Sequence, residues 1–106
     1  MSHEIGIILT KKGQYKKAIS IFEQLIEKKN NDLRANFLLG RVYYEINDLK
    51  KSLFFYKKCN QIQPATSSVL FNLALVLQGL GKIGESKKTY LKLISINPQD
   101  IKSYYG

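Results

Sequence analysis

The sequence predicts an all-α fold made of three repeated helix-turn-helix hairpins, on three observations. Residues 38–64 slide onto residues 72–98 without a gap at a shift of 34, and the same shift backwards lands on residues 4–30. Apolar residues recur at helical spacing on both sides of a turn in each copy. Small residues hold one equivalent place in each helix. They are Gly6, Gly40 and Ala74 in the first helices, and Ala18, Ser52 and Ser86, twelve residues later, in the second. Two helices of a hairpin approach closely only where side chains are small, so six small residues in register describe one tight contact made three times.

The copies cover about residues 1–32, 33–66 and 67–100. Helices are expected near 3–12, 16–29, 34–46, 50–62, 68–80 and 84–96, within a few residues at each end. The joints within the copies contain Gly13, Asn47 and Gly81. These residue types tolerate the left-handed backbone that ends a helix. In the second copy the apolar residues at helical spacing are Leu39 and Tyr43 before the turn and Leu53 and Tyr56 after it. Pro64 and Pro98 close the second and third copies, where a helix has to stop. Asn30 stands in that place in the first.

The 106 residues suffice for one small domain, and 44% hydrophobic content supports a core. Lys and Arg exceed Asp and Glu, for a net charge of +9. A lysine-rich solvated surface accounts for such an excess; nucleic acid, an anionic membrane or an acidic partner are the alternatives. Cys59 is the only cysteine, so no intrachain disulfide can form and nothing marks an oxidising compartment. No basic segment precedes the short apolar run at the N-terminus, which argues against a signal peptide. The longest apolar stretch, 69–77, is interrupted by Asn72 and falls far below membrane-spanning length. The expected location is cytoplasmic.

The 34-residue period, the paired small residues, the bulky Leu9, Tyr43 and Leu77, the bulky Phe22, Tyr56 and Tyr90, and the closing prolines together resemble the tetratricopeptide-repeat (TPR) family. The resemblance covers almost the whole chain as three consecutive repeats. It departs from the family pattern where a large aromatic usually opens the first helix. Ser2, Asn36 and Leu70 stand there instead, a departure expected to weaken individual hairpins. The resemblance implies a right-handed α-solenoid, with first helices along a concave groove and second helices on a convex back. It also implies a scaffold that holds a peptide or helix of a partner protein in that groove, and not an enzyme.

Carried over by position, the groove residues of the first copy are His3, Glu4, Ile7 and Thr10. In the second they are Arg34, Phe37, Leu38, Arg41, Tyr44 and Glu45; in the third, Ser68, Phe71, Asn72, Leu75 and Gln78. The partner-binding set inferred from these is Arg34, Phe37, Leu38, Arg41, Tyr44, Phe71, Asn72 and Leu75. Phe37, Leu38, Phe71 and Leu75 would form an apolar floor flanked by the two arginines; the alternative is that a further helix covers that floor. Family members that grip a chaperone's C-terminal carboxylate use a clamp of Lys, Asn and Arg at set positions. Here those positions hold His3, Ile7, Leu38, Ser68 and Asn72, so that charge-assisted pairing cannot form and a chaperone carboxylate is not the expected partner.

Lys16, Lys17, Lys50, Lys51, Lys57, Lys58, Lys87, Lys88 and Lys92 all belong to second helices. No aromatic is expected among them for base stacking, which argues against nucleic acid. Cys59 takes a small packed position and reads as a buried structural thiol. His3, the only histidine, lies near an N-terminus expected to fray. No Cys-His pair, metal-ligand spacing or phosphate cradle appears, so no catalytic site, metal or cofactor is expected. A different class of function is a regulatory or targeting segment of a larger enzyme, such as a transferase. Residues 101–106 read as the start of a fourth first-helix, too short to cover the last hairpin. The last helix is expected to show Tyr90, Leu93, Ile94 and Ile96 on an uncovered apolar side. From this follows either a longer natural chain or self-association through Tyr90, Leu93 and Tyr104.

Overall fold

A computed structural model describes residues 2–96. Those residues form six helices: α1 (His3–Lys11), α2 (Tyr15–Lys28), α3 (Leu33–Glu45), α4 (Leu49–Ile62), α5 (Ser67–Gly79) and α6 (Ile83–Ile96). Each lies within a residue or two of its expected bounds. Residues 101–106, with the expected start of a further helix, lie outside the described residues, as does Tyr104.

The three tight turns are chemically one turn. Gly13, Asn47 and Gly81 have φ of 76°, 64° and 80°. In each turn the following amide donates back to the bulky residue near the end of the first helix: Gln14 to the Leu9 carbonyl (2.9 Å), Asp48 to Tyr43 (2.8 Å) and Lys82 to Leu77 (2.8 Å). The left-handed residue thus satisfies carbonyls that the helix end leaves open. Asp32 and Asp48 cap α3 and α4 by accepting from the Ala35 and Lys51 amides at 3.0 and 3.2 Å. Ala65, just after Pro64, also has positive φ, 64°, a strained conformation for a residue with a Cβ and one that no residue type announces.

Within the hairpins the small residues meet rings. A Cβ placed on Gly6 would run into the Phe22 ring, and one on Gly40 would lie 2.9 Å from the Tyr56 ring. Ser52 and Ser86 do more than stay small. Ser52 Oγ donates to the Gly40 carbonyl at 2.7 Å, and Ser86 Oγ donates to the Ala74 carbonyl at 2.9 Å, both buried. Between hairpins α2 packs on α3 and α4 on α5. Ala18, Phe22, Leu39, Val42 and Tyr43 form the core of the first joint; Tyr56, Leu73, Val76 and Leu77 form the second.

Asn36, which stands where an aromatic is usual, is fully buried. Its Nδ2 donates to the carbonyls of Asn30 (3.2 Å) and Asp32 (2.8 Å), so it ties the turn between the first two hairpins. His3, at the terminus expected to fray, opens α1 with its Nε2 2.8 Å from Asp32 Oδ2. Burial raises the Asp32 carboxyl, but the Ala35 amide and His3 outweigh it and hold it below the usual range.

The expected apolar side of α6 needs one correction. Leu93 is fully buried, so it is closed to any self-association. It takes the repeat position of Cys59, which faces its own first helix with Sγ 3.8 Å from the Leu33 carbonyl. Ile94 and Ile96 remain exposed. Tyr90 is half-buried with its ring edge-on to Phe71 at 6.3 Å.

Burial pushes the Cys59 thiol up to about 12 and raises the Tyr56 phenol well above its ordinary value. Unfolded, these groups release their protons near about 8.5 and 10. Their raised values favour the folded chain in full below that range, and the advantage is lost as pH rises toward the folded values. Urea melts at increasing pH are therefore expected to show stability falling above about pH 8.5, and Cys59→Ala to flatten the first part of that fall. A profile unchanged by Cys59→Ala would show that the thiol keeps its ordinary pKa.

Candidate functional site

Two clefts lie side by side across the first helices. One, of about 230 Å³, is lined by Ile7, Thr10 and Lys11 of α1, Tyr15 at the start of α2, and Leu38, Arg41, Val42 and Glu45 of α3. The other, of about 440 Å³, is lined by Ile7, Leu33, Arg34, Phe37 and Leu38, with Thr66, Ser68 and Val69 closing it from the start of α5. Ile7 and Leu38 belong to both. Within the first two hairpins the first helix sits directly on a ring of its own second helix, Gly6 on Phe22 and Gly40 on Tyr56.

The structure brings together Arg34, Phe37, Leu38 and Arg41 from the expected set. Phe37 is not a free floor residue, because its ring packs edge-on against Tyr56 at 5.5 Å and it supports the second joint. Leu38 likewise leans on the first joint while presenting its remaining surface to the clefts. Arg34 Nη1 donates to Glu4 Oε1 at 3.3 Å across the α1–α3 gap. Glu4 is held below its ordinary value by its own backbone N–H first and by Arg34 second. Both side chains are more than half exposed, so this pair is weak and can open for a ligand.

Tyr44, Phe71, Asn72 and Leu75 line neither cleft. Tyr44 is exposed and the other three are half-buried. Asn72 Nδ2 donates to the Ser68 carbonyl of its own helix at 2.7 Å, so that donor is engaged within α5. The residues that position alone did not bring into the set are Ile7, Thr10, Lys11, Tyr15, Val42 and Glu45 around one cleft and Leu33, Thr66, Ser68 and Val69 around the other. Ile7, Thr10, Glu45 and Ser68 were legible as groove-facing. Tyr15 was not, because it begins a second helix and reaches the cleft only through the turn at Gly13.

On the opposite side, eight of the nine second-helix lysines are exposed, and Lys58 is half-buried. The expectation that no aromatic stands among them is overturned. Phe54 is 62% exposed, with Lys50, Lys51, Lys57 and Lys58 at helical spacings of three and four around it. Its ring meets Phe55 edge-on at 5.1 Å, Phe55 stacks on Tyr43 at 5.7 Å, and Lys51 Nζ sits 5.4 Å from the Tyr43 centroid. The ring stays outside because the inward position next to it is already taken by Phe55.

No helix among the described residues is long and apolar enough to cross a membrane. Among those residues no three His, Cys, Asp or Glu side chains gather as a metal site would require.

Residues 11–93 match the family described as anaphase-promoting complex, cyclosome, subunit 3. The chain is 28% identical over 99 residues to TPR repeat-containing protein MJ0263 of Methanocaldococcus jannaschii and 30% identical over 82 residues to MJ1428 of the same organism. These matches cover 89% and 77% of the chain but only 31% and 14% of the relatives, so the chain spans a minor part of each. Among solved structures, MamA from Desulfovibrio magneticus RS-1 (residues 41 to the end) superposes with a TM-score of 0.86 at 23% identity, over 94% of this chain and 56% of that one. A MamA RS-1 double mutant gives the same values. Stacked hairpins at a 34-residue period, with a family match that runs from the end of α1 into α6, place the chain in the tetratricopeptide-repeat family, within the group described as anaphase-promoting complex, cyclosome, subunit 3.

Proposed function

We propose that the chain is a non-catalytic docking module that holds an extended segment of a partner protein across α1, α3 and the start of α5. The observation that carries this reading is the pair of clefts joined at Ile7 and Leu38. Apolar walls there take side chains of a ligand, while Lys11, Arg34 and Arg41 at the rim favour acidic residues beside them. Buried apolar anchors supply most of the affinity at such sites, and rim charges tune rate and salt dependence.

Peptides selected on the chain from a random display library provide the test. Leu38→Glu is expected to weaken the selected ligands at least about tenfold, since it puts a charge into the shared floor. Arg41→Glu is expected to weaken acidic ligands most, whereas Lys50→Glu and Lys57→Glu leave binding unchanged. Ligands lost only with the two lysine variants would move the functional surface to the back.

One observation favours a second reading, an exposed phenylalanine inside a ring of lysines. Stacking of one base on an aromatic ring contributes about 1–3 kcal/mol, and lysines track the backbone. Under that reading a single-stranded oligonucleotide binds with steep salt dependence and Phe54→Ala weakens it markedly. Absence of a gel shift even at low salt would dispose of it.

A further inference from the structure

The back of the array changes character along its length. The three second helices repeat one another at a shift of 34, so positions 20, 54 and 88 are equivalent, as are 23, 57 and 91. All six are exposed. In α2 they hold Ser20 and Glu23; in α4, Phe54 and Lys57; in α6, Lys88 and Leu91. Each of the last two helices thus shows one large apolar side chain and one lysine at these places. Phe54 is 62% and Leu91 60% exposed. Their exposure belongs to the position and not to a missing neighbour. Phe54 lies in the middle hairpin, and Glu23 and Lys57, the equivalents of Leu91, are exposed although another hairpin follows each.

The charge follows the same division. α2 balances Lys16, Lys17 and Lys28 with Glu23 and Glu27. α4 has Lys50, Lys51, Lys57 and Lys58 and no acidic residue. α6 adds Lys87, Lys88 and Lys92, and its one carboxylate, Glu85, pairs with Lys82 at 3.7 Å. Lys87 and Lys88 stand four and three residues before Leu91, one turn away on its side of the helix, as Lys50 and Lys51 stand before Phe54.

We infer that α4 and α6 form a face that binds anionic lipid bilayers, with Phe54 and Leu91 entering the headgroup region and the lysines holding the lipid charges. An apolar side chain gains by leaving water for the acyl boundary, and each lysine beside it is drawn to the negative surface. Neither effect needs a cleft, and Phe54 and Leu91 line neither the clefts of the first helices nor those beside the turns. An extended peptide would need such walls, whereas a bilayer is flat and accepts two neighbouring ridges together. Leu91 also separates this occupant from a nucleic-acid strand, because an aliphatic side chain offers no ring on which a base can stack. The face is separate from the clefts, so its binding is independent of the docking reading.

Co-sedimentation of the full 106-residue chain with vesicles tests this. Binding is expected to vesicles of phosphatidylcholine with phosphatidylserine, not to phosphatidylcholine alone, and to fall as salt screens the lysines. Lys57→Glu is expected to weaken it at least about tenfold, and Phe54→Ala and Leu91→Ala each about threefold or more. Arg41→Glu makes the same change in net charge on the cleft side and should cost less than about twofold, since charges beyond a Debye length are screened. The chain has no tryptophan, so Phe54→Trp places a single reporter on the face. Its emission should shift to the blue with the anionic vesicles only. Both apolar positions are more than half exposed, so these variants should melt like the parent; Leu91→Trp is the second reporter if Phe54→Trp does not. Failure to bind anionic vesicles, equal losses from Arg41→Glu and Lys57→Glu, or an unshifted reporter on the bound chain each overturn the inference. A chain that ignores vesicles but binds a single-stranded oligonucleotide through Phe54, and not through Leu91, overturns it in favour of the nucleic-acid reading.

Discussion

Phe22→Ala is expected to lower the free energy of unfolding by about 3–5 kcal/mol, the range for truncating a large buried ring. The ring is fully buried and serves two contacts at once. It lies on Gly6 inside the first hairpin, and it joins Leu39, Val42 and Tyr43 between the first and second hairpins. Its loss opens a cavity at the point where α1, α2 and α3 converge, and no single helix can move to fill the space without leaving another contact. Small domains are stable by about 5–15 kcal/mol, so this one change removes a large share. Urea denaturation should show a lower midpoint with an unchanged slope. A loss below about 1 kcal/mol would mean that the helices collapse onto the gap and that the tight contact is not held by the ring.

Gly40→Leu is expected to cost about 1–3 kcal/mol or more through overpacking. A Cβ alone at this position would lie 2.9–3.1 Å from three atoms of the Tyr56 ring. That ring cannot swing away: it is 1% exposed, has Phe37 edge-on at 5.5 Å and belongs to the core of the second joint. The Ser52 hydrogen bond to the Gly40 carbonyl would stretch as the helices part. A Tyr56→Leu change makes room, so the double variant Gly40→Leu/Tyr56→Leu should be more stable than the sum of the two single losses. Strict additivity would locate the clash elsewhere. Gly79→Ala supplies the contrast, since its Cβ would meet only the far end of the Leu49 side chain, at 2.9 Å. That change should be close to neutral, as the gain in helix propensity offsets a small adjustment of Leu49.

The helices, their order and their tight contacts could be read from the chain alone, because each of these is local or repeated. A turn at Gly13, Asn47 or Gly81 depends on the backbone freedom of one residue, and the amphipathic runs beside it depend on spacing along one helix. Repetition amplified both signals threefold, since any single glycine or serine carries little information. The departure at Asn36 was legible as a departure, but its hydrogen bonds to Asn30 and Asp32 were not, because they depend on the path of the turn before α3.

The candidate site was legible only in part. Side-chain position along a first helix identified Arg34, Leu38 and Arg41, which line the clefts. It could not say that Phe37 would be drawn toward Tyr56, that Asn72 would bond within its own helix, or that Tyr15 would reach round from α2. Position on a helix gives direction, whereas depth is decided by what the neighbouring helices already fill. Phe54 and Phe55 show this most plainly: two adjacent rings of one residue type, one stacked beside Tyr43 and the other left among lysines. Leu93 was expected at the surface and lies inside for the same reason, since the side of α6 that it occupies is closed by its own hairpin while Ile83 and Ile94 face outward.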